Sequence, residues 1–208
     1  MKEDKINDAK LTENEIYKLK PTTCCFTGHR SQKLPWKFNE NDKRFFDMKA
    51  RTKIEIEKAI ANGYTTFISG MALGFDMLCA ELVLELKKDN PNIKLIGALP
   101  CKNQQKLWIH EQQKRYGNLL KQLDGIRCKY DAYNGSECML ERNRYMIDNS
   151  SLCIALFNGL HGGTESTINY AKNQGLKLVI IKPLSEDGSV KKDVVEFFDL
   201  LNKINNKK

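Results

Sequence analysis

The sequence predicts a three-layer α/β domain of the Rossmann-like type, with a mostly parallel sheet covered by helices on both faces. Short apolar runs typical of strands alternate with helical patterns along most of the chain. Three of the strand-like runs end in turns that contain glycine. A chain of 208 residues with 41% hydrophobic content is also long enough to bury one substantial core.

The elements follow one another in a regular order. Residues 1–20 are charged and lack an apolar stripe, which predicts a flexible N-terminal arm before a single domain at residues 21–208. The first helix, Phe38–Ala61, ends at Asn62-Gly63, a typical helix C-terminus, and the second begins at Phe75 with apolar residues spaced by three and four. The predicted strands are 22–27, 64–69, 94–99, 126–130, 152–157 and 177–181, and the later helices are about 103–123, 137–149, 165–174 and 190–204.

The chain is basic, with 34 Lys and Arg residues against 26 Asp and Glu and a net charge of +8. Such a balance suits an anionic partner, either a nucleotide or a nucleic acid, and it also fits an ordinary lysine-rich surface. The segment 102–129 concentrates basic residues. It has no interleaved aromatic ladder of the kind that favours single-stranded nucleic acid.

Seven cysteines form neither a CxxC pair nor a spacing typical of a metal site. Their odd number and apolar surroundings predict small buried side chains in a reducing compartment, and we expect no metal. The N-terminus lacks a signal-peptide pattern, and no apolar segment approaches the length of a membrane span. We therefore expect a cytoplasmic protein without a membrane partner.

Three glycine turns define the candidate site, because the carboxyl ends of parallel strands share one edge of a sheet. Glycine lets the backbone approach a ligand, and a helix N-terminus behind the turn offers free N–H groups to an anion. The turns therefore predict a phosphate site. The candidate ligand-binding residues are Gly28, His29, Arg30, Ser69, Gly70, Met71, Gly74, Asp76, Arg142, Asn158, Gly162, Gly163, Thr164 and Glu165.

Several of these residues have a purely structural alternative. The glycines at 28, 70 and 74 can serve tight turns or packing alone. Arg30 follows Gly28 directly, where a guanidinium clamps a phosphate, although it can equally be a surface charge. His29 is expected to hydrogen-bond its turn rather than to catalyse. Asp76 either caps a helix or accepts from a ribose hydroxyl.

Four segments resemble the SLOG superfamily of Rossmann-like proteins, and within it the YpsA-like group. They are CCFTGHR (24–30), ISGMALGFDMLCAE (68–81), MLERNRYMIDNSSLCIAL (139–156) and GGTEST (162–167). The resemblance covers about residues 21–183 and implies a cleft that binds a nucleotide or a ligand derived from NAD or ADP-ribose. It implies no required cofactor, and related folds often pair as homodimers.

One branch of that superfamily, the LOG nucleoside-monophosphate phosphoribohydrolases, has a motif similar to Met139-x-Glu141-Arg142-x-x-x-Met146. This likeness implies that Arg142, rather than Arg144, faces the phosphate or ribose of the ligand. The second half of the LOG motif departs here, since Asn158 replaces the expected proline and the catalytic glutamate position falls on Asn169. Glu165 is the remaining candidate if the chain is an enzyme.

A second branch, the DNA-processing protein DprA, is similar at Ser69–Asp76 and at Arg142-Asn143-Arg144. This branch implies binding of single-stranded DNA. We expect the chain to bind a nucleotide in a sensing or regulatory role. One alternative is an enzyme that hydrolyses the N-glycosidic bond of a nucleotide, since the sequence alone does not decide whether the bound ligand is turned over. The other alternative is DprA-like binding of single-stranded DNA.

Overall fold

Six parallel strands form the central sheet of the computed structural model, which describes residues 18–185. The strands are β1 (Thr23–Gly28), β2 (Thr66–Ser69), β3 (Lys94–Leu99), β4 (Gly125–Cys128), β5 (Leu152–Leu156) and β6 (Lys177–Ile181). Their order across the sheet is β4-β3-β2-β1-β5-β6, and every neighbouring pair is parallel. The predicted Rossmann-like α/β fold is therefore confirmed, with a described sheet that is parallel throughout.

Within residues 18–185, five α-helices cover the two faces of the sheet. They are α1 (Lys43–Ala61), α2 (Phe75–Lys87), α3 (His110–Leu120), α4 (Ser136–Asp148) and α5 (Gly163–Asn173). The helices α1, α2 and α3 pack on one face with Cys24 and Phe26, whereas α4 and α5 pack on the other face with Cys25. Consecutive residues of β1 thus enter opposite cores, as the two-residue repeat of a strand requires.

The apolar spacing of α2 explains its position against the sheet. Its predicted stripe is buried and belongs to the same core as β1, and it comprises Phe75, Leu78, Cys79, Leu82, Val83 and Leu86. Each large apolar side chain buried in this way contributes roughly 1.5–3 kcal/mol to folding. The short loop before α2 is thereby fixed at the carboxyl edge of the sheet.

Two helices begin later than the sequence predicts. α1 starts at Lys43 instead of Phe38, because the Asp42 side chain accepts a hydrogen bond from the backbone N–H of Arg44 at 2.8 Å and caps the helix there. α3 starts at His110 instead of near Asn103, because the chain is extended at Ile109. Residues 102–108 form turns instead of helix.

The ends of the chain are only partly described. Most of the predicted arm at residues 1–20 and the whole predicted helix at 190–204 lie outside the described residues. Within residues 18–185, no helix is long and apolar enough to cross a membrane.

The seven cysteines are all free. Cys24, Cys25, Cys79 and Cys153 are completely buried within or against the central strands, and Cys128 is half-buried. Burial raises the pKa of the Cys24 and Cys79 thiols well above the ordinary value.

Candidate functional site

The sheet order places a topological switch point between β1 and β5. The chain proceeds from β1 through β2, β3 and β4, and then returns to the other side of β1 to form β5. Ligands of open α/β sheets bind outside the carboxyl ends of the strands at such a point. A cavity of about 450 Å³, here called the polar cavity, lies at this edge. It is lined by Thr27, Gly28, His29, Arg30, Gln32, Lys33, Ala72, Asp76, Met139, Arg142, Asn143, Met146, Gly163 and Thr164.

His29 joins the turn after β1 to the turn after β5. Its ring is buried and stacks on Phe157 with a centroid distance of 5.6 Å, and its Nε2 accepts a hydrogen bond from the Asn158 N–H at 3.2 Å. Its Nδ1 lies 3.4 Å from the hydroxyl of Thr164. Burial, assisted by the charge of Lys33, lowers the pKa of His29 to about 4. His29 is therefore neutral at physiological pH and is occupied in holding the two turns together.

The glycines of the second turn are required by close packing. A Cβ on Gly70 would overlap the guanidinium of Arg142. Gly74 has a φ of 101°, and its Cβ would lie 2.8 Å from the backbone nitrogen of Ser31 and 2.9 Å from the carbonyl oxygen of His29. A side chain at either position would separate the loops that enclose the cavity.

Gly28 has a similar packing role, since its Cβ would lie within 2.5 Å of the Phe75 side chain. The turn that follows β2 is further fixed by Ser69. The Ser69 hydroxyl donates to the carbonyl oxygen of Asp76 at 2.8 Å and accepts from the N–H of Met71 at 3.1 Å. Met71 has a φ of 54°, so the turn depends on a left-handed residue that is not glycine.

Arg142 and Asp76 form a buried pair in the wall of the polar cavity. Both residues are only 6% exposed, and Arg142 Nη1 lies 3.7 Å from Asp76 Oδ2. Arg142 also donates to the carbonyl oxygen of Gly70 and, through Nε, to Asn143 Oδ1 at 2.8 Å. Burial raises the pKa of Asp76, and the charge of Arg142 opposes that rise. Arg144, by contrast, is exposed.

The N-terminus of α5 forms another wall. Thr167 donates to the carbonyl oxygen of Gly163 at 2.7 Å and accepts from Asn143 Nδ2 at 2.9 Å, which ties α4 to the first turn of α5. The residue before α5, Gly162, has a φ of 148° and provides no side-chain cap. The first N–H groups of this 11-residue helix therefore lie beside the cavity without a side-chain acceptor.

Two exposed cations, Arg30 and Lys33, complete the polar cavity. Lys33 lies close to α5, since a Cβ on Gly162 would be 3.2 Å from Lys33 Nζ. Neither Arg30 nor Lys33 forms an ion pair within residues 18–185. The rim of the cavity therefore presents positive charge to solvent.

The structure brings seven of the candidate residues together in the wall of the cavity, namely Gly28, His29, Arg30, Asp76, Arg142, Gly163 and Thr164. The other candidates lie behind or beside it. Asn158 supports a loop by donating through Nδ2 to the carbonyl oxygen of Lys33 at 3.1 Å. Glu165 does not line the cavity and pairs with His161 Nδ1 at 2.8 Å. Asn169, at the LOG glutamate position, is exposed on α5.

Sequence reasoning missed half of the lining. The missed residues are Thr27, Gln32, Lys33, Ala72, Met139, Asn143 and Met146. Asn143 lies within the quoted Arg142-Asn143-Arg144 segment, so its position was visible in the sequence. Gln32 and Lys33 belong to a short 3-10 turn at Ser31–Lys33, for which the sequence offers no distinctive signal.

A second cavity, of about 900 Å³, adjoins the polar cavity and is here called the apolar cavity. Both cavities are lined by Arg30, Gln32, Ala72 and Met139. Within the described part of the chain, no group of three or more His, Cys, Asp and Glu side chains is placed to hold a metal ion.

The parallel sheet with a cleft at its switch point places the chain in the Rossmann-like class of α/β domains. The family model YpsA, described as the YspA SLOG family, matches residues 24–184. Because this match covers most of the sequence, the chain belongs to the YpsA family of SLOG proteins.

Similar proteins include two bacterial relatives. The SPbeta prophage-derived protein YoqJ of Bacillus subtilis is 38% identical over 117 residues, which cover 51% of this chain and 68% of YoqJ. A UPF0398 protein of Brevibacillus brevis is 30% identical over 144 residues, which cover 69% of this chain and 76% of that protein.

Two solved structures share the fold. DNA processing protein A of Helicobacter pylori, described in a study of its single-stranded DNA binding mode, matches with a TM-score of 0.60 and 20% identity, covering 91% of this chain and 76% of that chain. DNA processing protein A of Streptococcus pneumoniae matches with a TM-score of 0.55 and 15% identity, covering 88% of this chain and 57% of that chain. At these identities the likeness shows the fold alone.

Proposed function

We propose that the protein binds a phosphate-bearing nucleotide, of the kind derived from NAD or ADP-ribose, in the polar cavity and acts as a sensor or regulator. One observation carries this proposal. The cavity combines cations that lack an ion pair with an uncapped helix N-terminus, while Asp76, its one carboxylate among the described residues, is paired with Arg142.

The electrostatic balance of the cavity favours an anion. Arg30 offers a planar set of donors that matches two phosphate oxygens, and Lys33 adds a point charge near α5. The N-terminus of α5 contributes roughly 0.3–1 kcal/mol to the binding of a negative group beside it. Arg142 supplies further positive charge from the wall and holds the Gly70 turn in place.

The same geometry disfavours hydrolysis. A hydrolase of the LOG type needs an acid or base within hydrogen-bond reach of the ribose. Asp76 is paired with Arg142, Glu165 pairs with His161 outside the cavity, and His29 is neutral and accepts from Asn158. Because each candidate acid or base already has a partner, the site favours binding of the ligand without hydrolysis.

The test compares nucleotides with and without phosphate. We expect thermal stabilisation by ADP-ribose or AMP, with roughly 2.7 kcal/mol gained at a ligand concentration of about 100 Kd, and much less by adenosine. Arg30→Ala removes a charge-assisted contact, typically worth about 1.5–3 kcal/mol, so it should weaken binding ~10-fold or more.

Arg144→Ala is the matched control, because Arg144 is an exposed arginine that does not line the cavity. It should leave the affinity unchanged. Chromatography after long incubation should recover the ligand intact. Equal stabilisation by AMP and adenosine, or equal losses in the two variants, would refute the phosphate site, and release of free base would establish a hydrolase instead.

Binding of single-stranded DNA is the second candidate function. It is favoured by the fold shared with the DNA processing protein of Helicobacter pylori and by the net charge of +8. We expect only weak binding of an oligonucleotide that disappears near physiological salt, because phosphate contacts release counterions and weaken steeply with salt. Tight binding at that salt, competed by the nucleotide, would place this function first.

A further inference from the structure

The apolar cavity lies directly beside the polar cavity, because four residues line both. It extends toward the loops that follow β3 and β4 at the same edge of the sheet. Its remaining lining consists of Phe38, Leu73, Asn103, Gln104, Lys106, Leu107, Trp108, Ile109, Gln112 and Tyr133. The second space is therefore next to any ligand that is anchored in the polar cavity.

Hydrogen bonds hold the walls of the apolar cavity in place. The N–H of Lys102 donates to the carbonyl oxygen of Tyr130 at 3.0 Å, and the N–H of Tyr133 donates to Asn103 Oδ1 at 3.1 Å. These two bonds join the loop after β3 to the loop after β4. Gln104 Nε2 donates to the hydroxyl of Tyr116 at 2.9 Å, which anchors the first loop to α3. These bonds fix the two loops that form the walls of the cavity.

The lining exposes an unusual amount of apolar and aromatic surface. Phe38 is 51% exposed, Leu107 94%, Ile109 61% and Tyr133 58%. Trp108 adds a half-buried indole that packs edge-on against Tyr116 at 5.3 Å. Clustered side chains of this kind around a cavity are typical of a binding site, whereas single exposed apolar residues are ordinary.

We propose that the apolar cavity holds the planar aromatic base of the nucleotide whose phosphate lies in the polar cavity. The inference rests on the proposed function and narrows its ligand to one that joins a phosphate and an aromatic heterocycle through a sugar. Phe38 and Tyr133 provide aromatic rings for stacking, and the amide of Gln112 lies in the same lining to meet a polar edge of a base.

The experiment uses AMP and ribose 5-phosphate as probes, which share a single phosphate and a ribose and differ in the base. Titration calorimetry on the full chain should show AMP binding at least about tenfold more tightly than ribose 5-phosphate. Tyr133→Ala and Phe38→Ala should each reduce the affinity for AMP and leave that for ribose 5-phosphate unchanged. Phe46→Ala is the matched control, since Phe46 is 54% exposed on α1 and lines neither cavity.

The outcomes separate this inference from the proposed function. If AMP and ribose 5-phosphate bind equally well and the Tyr133 and Phe38 variants change neither affinity, the base site is wrong while the phosphate site stands. If neither probe binds, both proposals fail. If Tyr133→Ala instead dissociates a dimer in sedimentation analysis while the AMP affinity is unchanged, a second copy of the chain covers the cavity and the inference is overturned.

Discussion

Replacing Arg142 by methionine should destabilise the protein strongly before any question of ligand binding arises. Methionine is close to arginine in length and fills much of its space, but it leaves the buried carboxylate of Asp76 without its positive partner. It also removes the donors to Gly70 and Asn143. Removing one partner of a buried ion pair costs about 3–5 kcal/mol.

This cost is a large fraction of the total stability of a domain, which is roughly 5–15 kcal/mol. For a chain of this size, a loss of 1 kcal/mol lowers the melting temperature by about 2–4 °C, so Arg142→Met should lower it by roughly 6–20 °C. Asp76→Asn in the Arg142→Met background removes the uncompensated charge. The double variant should therefore be more stable than the sum of the two single losses implies.

The pH dependence gives an independent check. The pKa of Asp76 is raised by burial, and it should rise further once Arg142 is gone, because the charge of Arg142 is the largest contribution that opposes that rise. A carboxyl whose folded pKa exceeds its unfolded pKa binds a proton on folding, so stability increases as the pH falls through the folded value. The deficit of Arg142→Met should therefore shrink between neutral pH and about pH 5.

The assay is urea unfolding of the parent, both single variants and the double variant at pH 7 and pH 5. A loss below about 1 kcal/mol in Arg142→Met would show that the pair is not effectively buried. A deficit independent of pH, or a double variant as unstable as the sum of the singles, would show that Asp76 is not the source of the cost.

Two further predictions concern the turns around the cavity. Gly74→Ala should lower the free energy of unfolding by roughly 1–3 kcal/mol, because the positive φ of Gly74 and the nearby backbone of Ser31 leave no space for a methyl group. The control is Gly117→Ala, in an open helical position, which should be neutral or stabilising in the same melting experiment. His29 should remain neutral in an NMR titration down to about pH 4, its lowered pKa. Because the unfolded chain takes up that proton near pH 6.5, stability should fall as the pH drops from there toward 4, and His29→Gln should flatten that dependence.

The fold could be predicted because its strands and helices show local sequence patterns that agree with their tertiary contacts. The five residues of β5 are all buried, and an uninterrupted apolar run is typical of a strand covered on both faces. The stripe on α2 has a helical period and packs on the sheet. These features depend on neighbouring residues, so they are visible in the sequence.

The prediction of a helix start near Asn103 was wrong because contacts between residues distant in the sequence determine the local structure there. The loop 102–109 has a helix-compatible composition, but Gln104 bonds Met71 and Tyr116, and Gln113 Nε2 donates to the carbonyl oxygen of Trp108 at 2.9 Å. Such pairings cannot be inferred from spacing. The glycine turns lie at one edge of the sheet, and the close packing of Gly70 against Arg142 and of Gly74 against Ser31 likewise depends on residues distant in the sequence.

The reaction of the completely buried cysteines with thiol reagents provides a measure of local opening in this fold. Thiol reagents react with the thiolate. Burial raises the pKa of Cys24, a hydrogen bond with Cys25 together with burial raises the pKa of Cys153, and burial also excludes the reagent. Cys25 and Cys153 face each other across β1 and β5, the two strands that flank the cleft. Modification of these residues therefore requires α4 and α5 to move away from the sheet, and its rate, compared with that of the half-buried Cys128, measures how often this helical layer opens beside the switch point.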